Sequence, residues 1–377
     1  MFPKLRFQEF DGAWSNSKID DIAVVTSGGT PSRSNLTFWD GNIPWVTTSL
    51  VDFNIIQSAE EFITQKGLDN SSAKLFPKNT ILMAMYGQGI TRGKVAILGI
   101  DATTNQACAA IKLQSNYDTQ FIFQNLMSRY EEIRDLSNDG GQKNLSAGII
   151  KEIEVYYPEK REQIKIASFL SVVDEKINQL TQKLELLSQY KQGMMQKLFS
   201  QQIRFKADDG SEFGEWEELK FKDVIKIKYG KDHKKLDDGD IPVLGTGGIM
   251  RYVDSYLYEG ESILIGRKGT IDKPRFISGK FWTVDTLFYT EIGEKILPKF
   301  AFQQLLLVNW LNLNEATGVP SLNTTSIGNI ELKVPCLAEQ TKIANFLSSI
   351  DQKIEVVAQQ IEQAKTWKKG LLQQMFI

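Results

Sequence analysis

The chain contains a copy of itself. Residues 158–177 read PEKREQIKIASFLSVVDEKI and residues 335–354 read PCLAEQTKIANFLSSIDQKI; 12 of 20 positions are identical, without a gap, at an offset of 177. The offset holds onward, matching Gly193 with Gly370, Gln196 with Gln373 and Phe199 with Phe376. It also runs backward, matching Leu145, Ile150, Ile153, Glu154 and Pro158 with Leu322, Ile327, Ile330, Glu331 and Pro335. A weaker echo opens each half, where LRF at 5–7 with Trp14 answers IRF at 203–205 with Trp216. A repeat this long limits the fold to two similar halves, each a globular part followed by the duplicated segment.

The duplicated segment predicts a long helix. Apolar residues fall at Ile166, Leu170, Val173, Ile177, Leu180 and Leu184, and again at Ile343, Leu347, Ile350, Ile354, Val357 and Ile361. Steps of four and three make a heptad seam. Pro158 and Pro335 precede the two helices, with Glu162 and Glu339 near their first turns, as helix starts prefer. Lys191 and Lys368 interrupt both seams at the same place. A narrow apolar stripe is unstable in water without a partner, and the nearest partner is the other copy. The alternatives are packing on the globular parts or pairing with a second chain. An antiparallel pair gives a pseudo-two-fold molecule with its globular parts at opposite ends. That geometry suits two sites on a rod with its own dyad, such as duplex DNA.

The globular parts predict an α+β class. Short apolar runs suggest strands at 43–47, 80–85, 94–98, 107–113, 241–244, 261–266 and 283–290, and helices at 119–136 and 296–312. The expected domains are 1–157, 158–200, 201–334 and 335–377. No run of 18 apolar residues is present to span a membrane. The first 20 residues lack the apolar core of a secretory signal. The two cysteines, Cys108 and Cys336, cannot build a disulfide framework, and a cytoplasmic location is expected.

Composition also narrows the chemistry. His233 is the single histidine, so neither a two-histidine metal face nor a choice of imidazole bases exists. A net charge of −2 argues against binding nucleic acid by bulk charge, though not against sequence reading. Glu331-Leu332-Lys333 resembles the end of a nuclease metal motif, but its repeat mate Glu154-Val155-Tyr156 lacks the lysine and no Pro-Asp precedes it. There is no Asn-Pro-Pro-Tyr or Asp-Pro-Pro-Tyr and no glycine-rich loop for S-adenosylmethionine. No catalytic residue and no metal site is expected.

The order of SGGTPSR (27–33), FWDGNIPWVTTSL (38–50), YGQGITRGKVAI (86–97), TTNQA (103–107), GGQKNLS (140–146) and the duplicated helix resembles the specificity subunit of type I restriction–modification systems. The second half carries a looser version in IPVLGTGG (241–248), ILIGRKGTID (263–272) and TGVPSLNTTSI (317–327). The resemblance implies that each globular part is a target-recognition domain for one half of a split double-stranded DNA target. It implies that the helices set the gap between half-sites and dock two modification (methyltransferase) subunits, through which restriction subunits join. S-adenosylmethionine and ATP would then be bound by those partners, with adenine the methylated base. The competing reading is a coiled-coil scaffold that joins proteins without touching DNA.

Candidate DNA contacts follow from residue type. Arg and Lys reach guanine O6/N7, and Asn and Gln pair with adenine in a major groove. In the first half these are Gln88, Thr91, Arg92, Lys94 and Asn105, with Thr47, Thr48 and Ser49 as a polar loop after Trp45. In the second half they are Lys231, His233, Lys234, Arg267, Lys268 and Lys273, with Thr246 after Leu244. The plain reading of each is a solvated or phosphate-facing side chain, and of Trp39, Trp45 and Trp282 a core aromatic. Four residues inserted near position 190 should add about 6 Å of helix and shift the half-site gap by one or two base pairs.

Overall fold

The computed structural model describes residues 2–87, 90–136 and 144–377. The chain divides into two compact units, residues 1–180 with 360–377 and residues 181–359. The duplicated segments are continuous helices, Lys160–Phe199 (40 residues) and Leu337–Met375 (39 residues). Each starts in one unit and ends in the other.

Ten strands of the first unit are described. They are β1 (Ser15–Lys18), β2 (Ala23–Ser27), β3 (Trp39–Val46), β4 (Ile55–Ile56), β5 (Glu61–Ile63), β6 (Ile81–Ala84), β7 (Val95–Leu98), β8 (Thr103–Thr104), β9 (Cys108–Leu113) and β10 (Glu154–Tyr157). They form sheets of order β2-β9-β6-β7-β4, β5-β3-β8 and β1-β10. β6 and β7 are buried throughout, which is why ILMA and VAIL read as unbroken apolar runs. Alternate residues serve opposite faces. Ile81, Met83, Val95, Ile97, Ala109 and Ile111 enter the core beneath the long helices, while Leu82, Ala84, Ala96, Leu98, Cys108 and Ala110 enter a second core on the other side.

The second unit repeats the plan with β11 (Glu217–Lys220), β12 (Ile225–Tyr229), β13 (Ile241–Gly245), β14 (Gly248–Val253), β15 (Tyr258–Glu259), β16 (Ser262–Gly266), β17 (Arg275–Ile277), β18 (Lys280–Thr283), β19 (Leu287–Ile292) and β20 (Glu331–Val334). Their orders are β12-β19-β16-β17, β14-β13-β18-β15 and β11-β20. Both units share a parallel pair among antiparallel ones, β3 with β8 and β13 with β18, and the first unit has a second, β4 with β7. The α+β expectation and the shared topology of the two halves therefore hold.

Three expected elements are subdivided. The run 283–290 is two strands, because Val284–Thr286 turns with Leu287 N–H donating to Val284 O at 3.0 Å. The helix expected at 119–136 breaks at Arg129 into Thr119–Ser128 and Tyr130–Asp135. The one expected at 296–312 stops at Leu305, whose carbonyl accepts from Trp310 Nε1 at 3.0 Å, and continues as a single 3₁₀ turn, Trp310–Leu313.

The seam residues do two jobs. Ile166, Leu170 and Val173 lie in the first unit's core beside Trp14 and Phe121, as do Leu371, Met375 and Phe376 from the far end of the second helix. Ile343, Leu347 and Ile350 lie in the second unit's core with Met195, Leu198 and Phe199 from the far end of the first. Within each unit the helix start and the visiting helix end run antiparallel. Gln374 O accepts from Leu5 N–H near Arg6, whose guanidinium binds Glu162, whereas Lys368 binds Asp174. Leu180, Val357 and Ile361 are buried, and Ile177, Leu184 and Ile354 half-buried.

Candidate nucleic-acid interface

In each unit some of the candidates gather where one parallel strand pair ends, β3 with β8 in the first and β13 with β18 in the second. In the first, Val46 lies beside Thr104, and Asn105 N–H donates to Val46 O at 3.0 Å. Gly28 and Gly29 fold over this end. A Cβ at Gly28 would stand 2.1 Å from Thr104 O, so no larger residue fits. Thr47–Ser49 and Asn105 therefore share one edge. Thr47 Oγ1 and Ser49 Oγ are 2.6 Å apart, and Asn105 Oδ1 accepts from Ala107 N–H.

Arg33 joins this edge, although its residue type alone did not single it out. Its guanidinium stacks over Trp39 at 3.7 Å and Trp45 at 4.8 Å, and forks onto Glu61. That hydrogen bond holds the Glu61 carboxyl below its ordinary pKa. Trp39 and Trp45 are buried, as the plain reading expects.

The Thr91–Lys94 segment is anchored beside it. Arg92 Nε donates to Arg134 O at 3.1 Å, and the Lys94 ammonium pairs with Asp52 above the Phe53 ring. The Lys94 contacts tie the segment to the stretch that follows the Thr48–Leu50 turn. Gln88, with part of the glycine turn around it, lies outside the described residues, as do residues 140–143 of the GGQKNLS stretch.

The second unit repeats the arrangement. Val284 N–H donates to Leu244 O at 3.0 Å, and a Cβ at Gly230 would stand 2.0 Å from Val284 O. Around this end opens a cleft of about 720 Å³, lined among others by His233, Lys234, Thr246, Asp232 and Asp285. Arg267 packs at its rim, with its backbone N–H on Thr286 O, Nη1 on Asp285 O at 3.1 Å and its guanidinium over Tyr229. Lys231 N–H donates to Thr283 O, and Lys231 O accepts from Trp282 Nε1 at 2.9 Å. Trp282 is thus half-buried and pinned by its indole rather than sunk in the core. Lys268 is exposed and bridges to Ser321. Lys273 is exposed and takes no part in the cleft.

Hydroxyls, an imidazole, cations and carboxylates around an open concavity can exchange directional hydrogen bonds with base edges. Among the described residues no group of three His, Cys, Asp or Glu is arranged to hold a metal. No described helix is long and apolar enough to cross a membrane.

The model for the type I restriction modification DNA specificity domain matches twice, at residues 12–189 and 214–366. The type I restriction enzyme MjaIX specificity subunit of Methanocaldococcus jannaschii is 25% identical, covering 95% of this chain and 91% of its own length. The EcoprrI specificity subunit of Escherichia coli is 24% identical, over 88% and 86%. The crystal structure of a type I restriction–modification S subunit from M. genitalium covers 100% of this chain and 99% of its own, with a TM-score of 0.68 and 20% identity. A structure described as the basis of complex assembly and conformational transition in the type I system covers 97% of each chain at a TM-score of 0.55 and 12% identity.

Proposed function

The chain belongs to the type I restriction modification DNA specificity family, and from that premise we propose that each globular part reads one half of a split double-stranded DNA target. Specificity subunits of this family select sequence and leave the reaction to the modification and restriction subunits with which they assemble. The pure scaffold reading is disfavoured by the double match to a DNA specificity domain.

One observation carries the division of labour: the same site, at the end of the β3–β8 pair in one unit and of the β13–β18 pair in the other, occurs once per unit with different side chains. Thr47 and Asn105 occupy it in the first unit, and Thr246, His233 and Asp285 in the second. Two sites of one design and two chemistries suit two half-sites of different sequence. The long helices then set the gap between half-sites and dock two modification subunits, through which restriction subunits join in the cytoplasm. S-adenosylmethionine and ATP belong to those partners, and adenine is the expected methyl acceptor.

The test is a domain exchange. Residues 1–157 are replaced by the corresponding part of another such subunit, and the methylated sequences are read by single-molecule sequencing. One half of the target changes and the other stays. A change in both halves, or in neither, overturns the reading.

A further inference from the structure

The cleft of the second unit has an apolar wall that its charge and hydroxyl groups do not explain. Strand β14 carries Ile249 and Met250, which are 55% and 59% exposed. In a regular strand consecutive side chains point to opposite faces. Here both line the same cleft. The cause is a β-bulge. Val243 pairs with Arg251 and Leu244 with Ile249, so Met250 has no partner across the ladder and the strand is re-aimed. Gly245 makes room for the result, because a Cβ there would stand 2.8 Å from Met250 Sδ. The Gly245 carbonyl is in turn held by Arg275. β14 is also an edge strand, where two exposed large apolar side chains invite association unless they have a partner of their own. The counterpart in the first unit, β5, has only Glu61, Phe62 and Ile63.

The polar groups say what that partner is. Asp232 and Asp285 stand in the same cleft as His233 and Lys234. Carboxylates repel phosphate but accept hydrogen bonds from base amino groups, so the cleft suits base edges rather than the DNA backbone. The β13–β14 hairpin, closed by a two-residue turn, is the edge of the sheet β14-β13-β18-β15, and that protruding edge is the part of the unit that a major groove would admit. In that groove the apolar feature of a base pair is the 5-methyl group of thymine.

We propose that Ile249 and Met250 form a thymine-methyl reader and that the half-site governed by the second unit contains the thymine they contact. This rests on the DNA-reading assignment above and adds the identity of one base.

The experiment uses the full chain assembled with its modification subunits. Methylome sequencing first defines the target, and duplexes are then made with each thymine of the second half-site replaced singly by deoxyuridine, which lacks only the methyl group. At one position affinity falls about four-fold, the weight of one buried methyl. The double variant Ile249→Ala, Met250→Ala binds the thymine and deoxyuridine duplexes equally. A second half-site without thymine overturns the proposal. So does an indifference of the wild type to every replacement, or an undiminished response in the variant. In those cases the chain still reads DNA. If the complex directs no sequence-specific methylation at all, the DNA-reading assignment fails and this inference falls with it.

Discussion

Lys191 binds Asp351 at 2.6 Å, and the repeat mates of both residues, Lys368 and Asp174, make the same bond at 2.5 Å. A glutamine completes each pair. Gln303 Nε2 donates to Asp351 at 2.7 Å and Gln124 Nε2 to Asp174 at 3.1 Å. The lysines that break the apolar seam thus have a reason: each end-of-helix cation meets a carboxylate from the start of the other helix. The side chain of Lys191 is 12% exposed and that of Asp351 40%.

The pair should therefore respond asymmetrically to truncation. Asp351→Ala strands a nearly buried ammonium and an amide, and is expected to cost about 1–3 kcal/mol. Lys191→Met leaves a carboxylate that Gln303 and water still serve, and is expected to cost less than about 1 kcal/mol. Thermal unfolding of the two variants provides the comparison. Equal losses would mean that the charge pairing is not what the lysine contributes.

Glu339 gives a second, sharper case. Its fully buried carboxylate accepts from Arg204 Nε at 3.0 Å, Arg204 Nη2 at 2.7 Å and Trp216 Nε1 at 3.1 Å. The repeat mate, Glu162, accepts Arg6 at 2.7 and 2.6 Å, while Trp14 Nε1 has no hydrogen-bond partner among the described residues. Glu339→Ala is expected to cost about 3–5 kcal/mol, and pairing it with Arg204→Met should recover part of that loss. Glu162→Ala should cost less, since no indole depends on it. A double variant no better than the single would refute the ion-pair account.

The spacer prediction changes once the helix ends are seen. Met195, Leu198 and Phe199 sit in the second unit's core, and Leu371, Met375 and Phe376 in the first's. An insertion at 190 displaces those plugs and should destabilise the protein. Residues 178–193 and 355–370 lie outside both units' main apolar cores, although Leu180, Val357 and Ile361 are buried along the seam, so four-residue insertions at the matched positions after Gln182 and Gln359 are the best-tolerated change. They add about 6 Å and should move the half-site gap by one or two base pairs in methylome data. An unchanged gap in a well-folded variant would show that the helices do not set it.

The cysteines make a probe of opening. Burial pushes the Cys108 thiol up to about 12, while Cys336 is exposed. Native protein should take up one equivalent of a thiol reagent at pH 8, and the second only on unfolding. Above the ordinary thiol pKa the unfolded chain ionises Cys108 while the folded chain does not. This contribution to stability is therefore present at neutral pH and lost as pH rises from about 9 towards 12. Two equivalents reacting at once under native conditions would contradict the buried assignment.

What was legible in the sequence had short-range periodicity or repetition behind it. The heptad seam marks both helices, and the apolar runs at Ile81–Ala84 and Val95–Leu98 mark buried strands. The β1–β10 pair was not legible, because SNSK and EVYY are short and more than 130 residues apart in the chain. Nor was the Val284–Thr286 turn, which sits in an apolar run and is set by pairing with Leu244. Of the site, Thr246, His233 and Lys234 could be picked by residue type, and they do meet in one cleft. Ile249 and Met250 could not, since their shared direction comes from a bulge that exists only when β13 and β14 are paired.

Phe376 closes the first unit against Phe121 at 5.2 Å, and its mate Phe199 closes the second against Phe300 at 5.5 Å. The stopper and the socket are the same pair of residues at both places. A domain moved from the front of the gene to the back would find the same phenylalanine waiting for it, among apolar neighbours of similar size. Under the proposed division of labour, exchanging the two globular parts in the gene should therefore invert the order of the half-sites without redesigning either domain.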